Sequence, residues 1–460
     1  MNTVSLLEGK KYRIEYICEV LQASFAEVDS VLRDVTEYLK GEQLSFRFVG
    51  FIFWKRHLLV ILPKYYLDLV NQEYIEHRML LMQTLLKCQK HRYSDLSLLG
   101  VYSSDFEEEI SEAGAALYLI EDFLSYGYWN RQENTIDQAG DGEILWDSTI
   151  DNYHPYKSGN NITYLEFNRR NSINTGDLIT SYHQWAITVL WEKYGELLGF
   201  PYPIGEEEYS YGADVLSARA TDYFDIEFLK HAIAVELQRS FRDRDIRLLK
   251  YLLFLLIDEE SDTYDTKQVS LYGTTEFHIV WEKMCGFLFR NQYEDYKRFI
   301  PKPLWEDSEG RTSQASYTIR PDITIFHPVS RQFLILDAKY YFLNFDYSSE
   351  FRVHGGMDTY DIIKQQFYEL VLRDKADLHE YVQSRVGQGI TIERFRSMFL
   401  LPSLECEHYQ YIGNVSLKDF QLASRINLFR LNPIMLMNRF VLNKPYSDQE
   451  IDDVISVALV

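Results

Sequence analysis

Residues 320–339 read RPDITIFHPVSRQFLILDAK, and this stretch decides the fold of the C-terminal part of the chain. Residues 317–326 and 332–338 are rich in β-branched and aromatic side chains, and a segment containing proline and serine separates them, as in two strands joined by a turn. A hairpin of this kind places Asp322 at the start of one strand and Asp337 near the end of the next. The stretch therefore predicts that two carboxylates meet at one end of a β-sheet.

These residue types suit metal-assisted hydrolysis of a phosphodiester. Two carboxylates can hold Mg²⁺, or Mn²⁺ in its place, and the backbone carbonyl of Ala338 can add a hard oxygen ligand. Asp337 and Lys339 are two positions apart in a strand and point to the same side, so the lysine can orient or deprotonate the attacking water. The alternative without a site is that Asp322 belongs to an ordinary turn, while Asp337 and Lys339 form an exposed pair on a strand. The fully apolar run before Asp337 favours the site.

A helix predicted at residues 276–291 carries a further candidate. Its apolar positions recur at helical spacing, and Glu282 follows Trp281 directly. Glu282 can face the end of the sheet and act as a third carboxylate, as a ligand or through water. The alternative is a surface glutamate paired with Lys283.

A second helix is predicted at residues 358–374, after the hairpin. Lys364 and Tyr368 are four positions apart and share one face. With Gln365 and Arg320 they are candidates for contacts to a nucleic-acid backbone or for supporting the lysine of the hairpin. An ordinary polar helix face explains the same pattern equally well.

The remaining chain predicts a mixed architecture. Helices and strands that alternate after residue 263 indicate an α/β domain on a mixed sheet, preceded by an α+β domain at 1–160 and a mainly helical region at 161–262. Two β-prone runs around 55–57 predict a second hairpin. Further helices are predicted at 12–40, 70–90, 105–125, 181–198 and 213–257, further strands at 143–146, 398–401, 409–412 and 426–431, and loops at 137–142 and 200–212.

Charge and composition restrict the possible functions. The net charge of −22 argues weakly against a solitary, tight DNA binder, because phosphate contacts need lysine and arginine. The basic run from Arg239 to Lys250 can contact phosphates, although a solvated helix face balanced by Asp243 and Asp245 is the favoured interpretation. No GxxxxGK[ST] loop is present, so we expect no nucleotide hydrolysis by this chain.

The cysteines and the hydropathy indicate a cytoplasmic protein. Four cysteines without CxxC spacing predict reduced thiols and no zinc site. The sequence contains no run of 18 apolar residues, so we expect no membrane span. The N-terminus also lacks the apolar stretch that a signal peptide needs. His183 and Cys285 have no neighbours at catalytic spacing, which argues against a nucleophilic hydrolase.

Asp322 followed by Asp337-Ala338-Lys339 resembles the PD-(D/E)xK nucleases. The wider pattern, residues 320–322, 336–340 and 361–368, resembles the McrC nuclease subunits and especially the LlaJI restriction endonuclease family. Three N-terminal segments resemble the same family and extend the resemblance to roughly residues 45–440; they are Phe48-Val49-Gly50, Leu62-Pro63-Lys64-Tyr65 and Glu143-Ile144-Leu145-Trp146 with Thr149-Ile150.

The resemblance implies a bacterial restriction subunit that cleaves double-stranded DNA and protects the cell from foreign DNA. It also implies a McrB-like AAA+ GTPase as partner, so that GTP acts only through that partner, and an N-terminal part that docks into the partner's ring. Asp322, Asp337 and Lys339 take the family's catalytic positions, and Glu282 resembles the helix glutamate. One departure concerns the following helix, where many relatives have a Gln-x-x-x-Tyr pair and this chain aligns Lys364 with Tyr368.

The leading hypothesis is therefore a Mg²⁺-dependent endodeoxyribonuclease subunit of a restriction system. The first rival is a stand-alone type II endonuclease, in which the basic run would help to read DNA. The second rival is an adaptor that activates a GTPase on a nuclease scaffold, with Lys55, Arg56 and His57 as the docking element. The sequence does not specify the DNA target, the methylation preference, the cleavage pattern or the stoichiometry.

Overall fold

The computed structural model describes most of the chain: residues 2–39, 42–54, 57–68, 75–90, 101–103, 109–138, 143–174, 177–200, 219–260, 269–314, 320–346, 352–387, 389–418 and 424–457. The chain forms two compact units, one of residues 2–99 with 269–460 and one of residues 100–268. This division differs from the predicted segments 1–160, 161–262 and 263–460. It differs because the first hundred residues share a sheet with a strand that follows residue 268.

That shared sheet contains four strands in the order β1 (Asn2–Leu7), β6 (His57–Leu62), β5 (Val49–Trp54) and β14 (Val269–Thr274). The predicted hairpin of β5 and β6 lies at its centre, and both strands are buried along their whole length. Gly50 on β5 lies opposite Gly273 on β14, and a Cβ on either would come within 2.3 Å of a backbone oxygen of the facing strand. The elements before residue 99, with β14, are β1 (Asn2–Leu7), β2 (Lys11–Arg13), α1 (Ile14–Leu21), α2 (Phe25–Leu32), β3 (Thr36–Leu39), β4 (Gln43–Phe46), β5 (Val49–Trp54), β6 (His57–Leu62), α3 (Ile75–Lys90) and β14 (Val269–Thr274).

The C-terminal part of this unit is built on a five-stranded mixed sheet in the order β17-β18-β21-β23-β22. β18 pairs antiparallel with β17 and parallel with β21, as expected for the predicted α/β architecture. Its elements are α9 (Phe277–Leu288), α10 (Tyr293–Tyr296), β15 (Leu304–Glu306), β16 (Thr312–Gln314), β17 (Ile323–His327), β18 (Gln332–Ala338), β19 (Leu343–Asp346), β20 (Arg352–Gly355), α11 (Thr359–Arg373), α12 (Ala376–Val386), β21 (Arg394–Pro402), β22 (Tyr409–Val415), β23 (Ile426–Leu431), α13 (Pro433–Val441) and α14 (Asp448–Val457).

Side chains from α11 cover one face of this sheet. Tyr368 and Leu372 belong to the same buried cluster as Phe333 and Ile335 of β18. Because successive strand residues alternate between faces, Leu334 and Leu336 point to the other face, and both are fully buried. β18 is therefore a central strand buried on both faces, and its polar residues appear only where it ends.

The unit of residues 100–268 is mainly helical, as the sequence predicts for its second half. α4 packs on α6, and α7 packs on α8. A small antiparallel sheet in the order β10-β13-β9 accompanies the helices. The elements are β7 (Val101–Ser103), β8 (Glu109–Ser111), α4 (Glu112–Tyr126), β9 (Gln132–Asp137), β10 (Glu143–Ile144), α5 (Trp146–Asn152), β11 (Tyr156–Ser158), β12 (Asn161–Thr163), β13 (Arg169–Asn174), α6 (Asp177–Leu198), α7 (Ile226–Arg239) and α8 (Asp243–Glu260).

Several secondary-structure predictions were wrong in part. The helix predicted at 213–257 is two helices, α7 and α8, with residues 240–242 between them. The helix predicted at 12–40 is two helices and a strand, because Ser24 starts α2 with a capping box and the β-prone residues of β3 pair with β4. The helix predicted at 105–125 begins only after β8. The strand predicted at 143–146 is limited to β10, since Trp146 begins α5. Lys55 and Arg56, the loop at 139–142 and the connector from residue 201 lie outside the described residues.

The structure also bears on the expected state of the cysteines and on membrane spans. All four cysteines are free thiols. No helix in the described ranges combines the length and the hydrophobicity that a membrane span needs.

Candidate functional site

The β17–β18 hairpin brings Asp322 and Asp337 together. Ile323 pairs with Leu336, so the next step of the same register sets the two aspartates opposite each other. The Asp322 Oδ2 atom accepts a hydrogen bond of 2.9 Å from the backbone N–H of Ala338. The prediction that two carboxylates meet at the end of the sheet is confirmed.

Asn291 fixes the backbone around Asp322. Its Nδ2 donates to the Asp322 carbonyl at 2.8 Å, and its Oδ1 accepts from the Thr324 N–H at 3.0 Å. β17 is the edge strand of its sheet, and these contacts occupy backbone groups that no neighbouring strand pairs. Asn291 is a supporting residue that the sequence analysis missed, since nothing in its local pattern marks it.

The acidic pair is electrostatically strained. Burial raises the pKa of Asp322 well above its ordinary value, and the hydrogen bond and charge of Asp337 and the charge of Glu282 raise it further. The Ala338 N–H opposes this only in part. Two carboxylates that share a buried position cannot both ionise without cost, and a cation between them would remove that cost.

Lys339 lies beside the pair, as its spacing from Asp337 predicts. Its Nζ is 3.0 Å from Asp337 Oδ2 and 2.7 Å from Asp361 Oδ1. Burial lowers the pKa of Lys339, but the two carboxylates outweigh burial and the pKa is raised. The lysine is therefore a fixed ammonium that points at the acidic pair.

Asp361 is a site residue to which the sequence analysis gave no role. It lies in the first turn of α11, where Asp358 caps the helix, and its Oδ2 accepts from the Tyr341 hydroxyl at 2.6 Å. Burial raises the pKa of Asp361, but the hydrogen bonds from Lys339 and Tyr341 outweigh it, so the pKa is lowered. A charged Asp361 thus shares the ammonium of Lys339 with Asp337 and helps to hold it in place.

Glu282 on α9 is near the pair without joining it. Its charge contributes to the raised pKa of Asp322, while its Oε1 lies 3.8 Å from Lys283 Nζ. Within the described ranges, no three His, Cys, Asp or Glu side chains gather closely enough to hold one metal ion. Both interpretations of Glu282 therefore find support, and its role as a direct ligand stays a prediction.

Of the three candidates on α11, Gln365 and Tyr368 are buried, and Lys364 is not. Gln365 is fully buried and donates from Nε2 to the Ile335 carbonyl at 2.7 Å, so it ties the helix to β18. Tyr368 is buried, and its pKa is raised by burial and by the charges of Asp337 and Asp322. Its hydroxyl has no hydrogen-bond partner among the described residues. Lys364 lies 5.8 Å from the Tyr368 ring and remains at the margin of the site.

Arg320 lies before the hairpin, and its guanidinium lies over the Tyr293 ring at 4.9 Å. The side chain is exposed, so it is accessible to a ligand of the site. Its predicted contact to DNA stays a prediction.

The donor set fits a hard divalent cation. Asp337 Oδ2 is buried, and apart from the ion pair with Lys339 it has no hydrogen bond of good geometry to any described residue. Asp322 supplies the facing carboxylate, and oxygen donors of this kind are those that Mg²⁺ and Mn²⁺ prefer. Asp322 and Asp337 would hold the ion, and the Ala338 carbonyl stays a predicted third donor.

Comparison with known proteins supplies the family. The model of the LlaJI restriction endonuclease family matches residues 48–451, which is most of the chain and includes every site residue described above. The chain belongs to the LlaJI restriction endonuclease family. Over 454 residues it is 29% identical to the type II restriction enzyme BsuMI component YdjA of Bacillus subtilis, covering 96% of this chain and 90% of that protein.

Two solved structures resemble this LlaJI family member. The first is a chain of the refined half-complex of Thermococcus gammatolerans McrB AAA+ hexamers with bound McrC, with 12% identity, a TM-score of 0.35 and coverage of 96% of this chain and 100% of that one. The second belongs to the McrBC complex of the same organism, with 13% identity, a TM-score of 0.23 and coverage of 56% and 80%. At these TM-scores neither likeness carries a conclusion about this chain.

The basic run of the family member is partly structural. Arg244 forms two hydrogen bonds with the buried Asp122, and its guanidinium lies over the Tyr126 ring at 4.4 Å. Arg247 lies 5.8 Å from the Tyr118 ring. These contacts involve two of the five basic side chains of the run, which are Arg239, Arg242, Arg244, Arg247 and Lys250. They favour the interpretation of the run as a structural, mixed-charge helix face.

The two possible nucleophiles are also structural. Burial lowers the pKa of His183 to about 4, and its Nδ1 accepts from the Trp129 N–H. Cys285 is fully buried, and burial raises the pKa of its thiol well above the ordinary value. Neither group has the accessible, activated state that a nucleophile needs.

Proposed function

We propose that this restriction endonuclease family member is the DNA-cleaving subunit of an anti-phage restriction system and hydrolyses phosphodiester bonds with Mg²⁺. The observation that carries the proposal is the buried pair of Asp322 and Asp337 with the ammonium of Lys339 beside it. Burial of two facing carboxylates, with the pKa of Asp322 raised and a fixed ammonium beside them, is costly if the residues serve stability alone. It suits a site that binds a divalent cation and a phosphate.

The chemistry assigns a task to each residue. A bound Mg²⁺ would supply the charge that polarises the phosphate and lowers the pKa of a water molecule. Asp322 and Asp337 fix the cation's position, and Lys339 orients the attacking water and offsets charge on the phosphate oxygens. Asp361 keeps that lysine charged and in place. The attacking oxygen forms a bond to phosphorus, and the bond to the leaving oxygen breaks.

A McrB-like AAA+ GTPase is the proposed partner. Support comes from the McrC-like residues at 320–322, 336–340 and 361–368, and from the Bacillus subtilis relative, whose name describes a component of a restriction enzyme. The acidic net charge of −22 is consistent with DNA recognition that a partner largely provides.

The test is cleavage of plasmid DNA by the full chain with Mg²⁺, with and without the McrB-like GTPase and GTP. Asp337→Asn removes one charge of the pair at nearly constant volume, and Asp374→Asn makes the same change at an exposed position at the end of α11. We expect cleavage by the parent chain and by Asp374→Asn, and none by Asp337→Asn. Cleavage that requires the GTPase supports the two-component system, and cleavage without it supports a stand-alone endonuclease. Asp337→Asn that cuts at the parent rate would overturn the site assignment.

A further inference from the structure

The residue after Lys339 is held by the N-terminal sheet. The Tyr340 hydroxyl donates to Glu8 Oε2 at 2.6 Å and accepts from the Lys64 N–H at 3.2 Å. The same Lys64 N–H also lies 3.2 Å from Glu8 Oε2. These three groups form a closed set of hydrogen bonds between two segments that are more than two hundred residues apart in sequence.

Both anchors of Tyr340 are rigid. Glu8 directly follows β1, and its own N–H donates to the Leu62 carbonyl at the end of β6 at 2.9 Å. Lys64 follows β6, and its ammonium lies over the Tyr340 ring at 4.2 Å. The tyrosine is therefore fastened to the paired ends of two neighbouring strands, which cannot move separately.

The same ring contacts the helix that carries Glu282. The Phe277 ring at the start of α9 lies 5.5 Å from the Tyr340 ring, and the Tyr65 ring lies 6.1 Å away in an edge-on arrangement. Tyr340 thus joins the strand end with Asp337 and Lys339, the helix with Glu282, and the N-terminal sheet.

The contact lies just beyond the end of β18. β18 ends at Ala338, and beyond it the Lys339 N–H makes one more bond, 2.9 Å to the Leu400 carbonyl. Consecutive residues of an extended chain point to opposite sides, so Lys339 faces the acidic pair while Tyr340 points away from it. The Tyr340 hydroxyl is held on that other side by Glu8 and Lys64. The contact adds a fixed point just beyond the last residues that β18 pairs with β21.

We infer that Glu8, Lys64 and Tyr340 form a positioning contact through which the N-terminal sheet holds the metal-binding end of β18 in place. The inference rests on the proposed function in its claim about metal binding, but the contact itself does not depend on it. It makes the N-terminal sheet a part of the nuclease centre rather than a separate module. None of the three residues touches the reacting atoms.

The test uses the full chain, Mn²⁺ as the probe and Tyr340→Phe as the central variant. The variant removes the hydroxyl and keeps the ring. Tyr446→Phe is the matched control, because its hydroxyl is also buried but has no hydrogen-bond partner among the described residues. Glu8→Met removes both acceptor oxygens at similar volume, and Glu8→Gln restores one of them. Mn²⁺ affinity is measured by calorimetry, and amide hydrogen exchange is followed at residues 336–341.

We expect Tyr340→Phe and Glu8→Met to weaken Mn²⁺ binding by about five- to ten-fold, as for loss of one buried hydrogen bond. Exchange of the Ala338 and Lys339 amides should become faster, and Glu8→Gln and Tyr446→Phe should behave as the parent. Unchanged exchange in Tyr340→Phe overturns the inference. If the parent chain binds no Mn²⁺, the proposed metal site fails instead, and the exchange data alone decide whether the contact holds the strand end.

Discussion

Replacing Asp322 by asparagine should stabilise the metal-free protein while it abolishes cleavage. Burial and the neighbouring Asp337 raise the pKa of Asp322 in the folded chain, whereas the unfolded carboxyl ionises near pH ~3.9. Below that pH both states carry the proton and the folded state loses nothing. Between that pH and the raised pKa of the folded state, the unfolded carboxyl is ionised while the folded one keeps its proton, so the contribution of Asp322 to the free energy of unfolding falls as the pH rises. Asp322→Asn should remove this decline.

The expected gain follows from what the substitution changes. The amide retains an oxygen that can accept from the Ala338 N–H, so the main difference is the loss of one negative charge from a buried acidic pair. Removal of one of two buried negative charges that share a single nearby ammonium is worth about 2 kcal/mol at alkaline pH. For a unit of this size that corresponds to a rise in Tm of roughly 4 °C.

The assay is thermal unfolding with EDTA from pH 4 to pH 8, for the parent, Asp322→Asn and the exposed control Asp374→Asn. Relative to Asp322→Asn, the parent should lose stability as the pH rises from 4 to 8, and the control should follow the parent. Asp322→Asn should therefore have the higher Tm at pH 8. Added Mg²⁺ should raise the Tm of the parent and of the control more than that of the variant, because ligand binding to the folded state stabilises it. A lower Tm for Asp322→Asn than for the parent at pH 8 without metal would refute the reasoning, since the pair would then not be strained.

Three further substitutions test other contacts. Asp361→Asn removes the charge that holds Lys339, and we expect plasmid cleavage to fall by about ten-fold or more, as for loss of a charge-assisted hydrogen bond, in a rate measurement at saturating Mg²⁺. Tyr368→Phe should leave the free energy of unfolding within about 0.5 kcal/mol of the parent, because its hydroxyl has no hydrogen-bond partner among the described residues, and yet slow cleavage if that hydroxyl assists at the acidic pair. Arg244→Leu leaves the buried Asp122 without its cation, and denaturant unfolding should show a loss of about 2 kcal/mol, a value reduced because the arginine is one-third exposed.

The sequence predicts the centre of the site well because that centre is local. β17 and β18 are consecutive, so the alternation of apolar residues and the turn between them are enough to place Asp322 opposite Asp337. The orientation of Lys339 follows from its spacing to Asp337 in a strand. Neither conclusion requires knowledge of how distant segments pack.

The supporting contacts are non-local, which is why the sequence does not reveal them. Asp361 reaches Lys339 only because α11 packs back onto β18, and Asn291 reaches Asp322 from the segment after α9. Periodicity shows which face of a helix is buried, but not which strand that face meets. Trp146 illustrates the local limit, since an aromatic residue with high strand propensity begins α5 instead.

The N-terminal sheet shows the same limit at the level of domains. A boundary near residue 262 follows from composition, but β14 begins at Val269 and completes a sheet whose other strands precede residue 63. The family match from residue 48 to 451 includes β5, β6 and β14 of this sheet and the unit between them, while β1 precedes the match. A fragment starting at residue 263 would leave β14 without β5 and Tyr340 without Glu8. The unit that holds the candidate site is therefore assembled from residues 2–99 and 269–460, and residues 100–268 are inserted in sequence between these two parts.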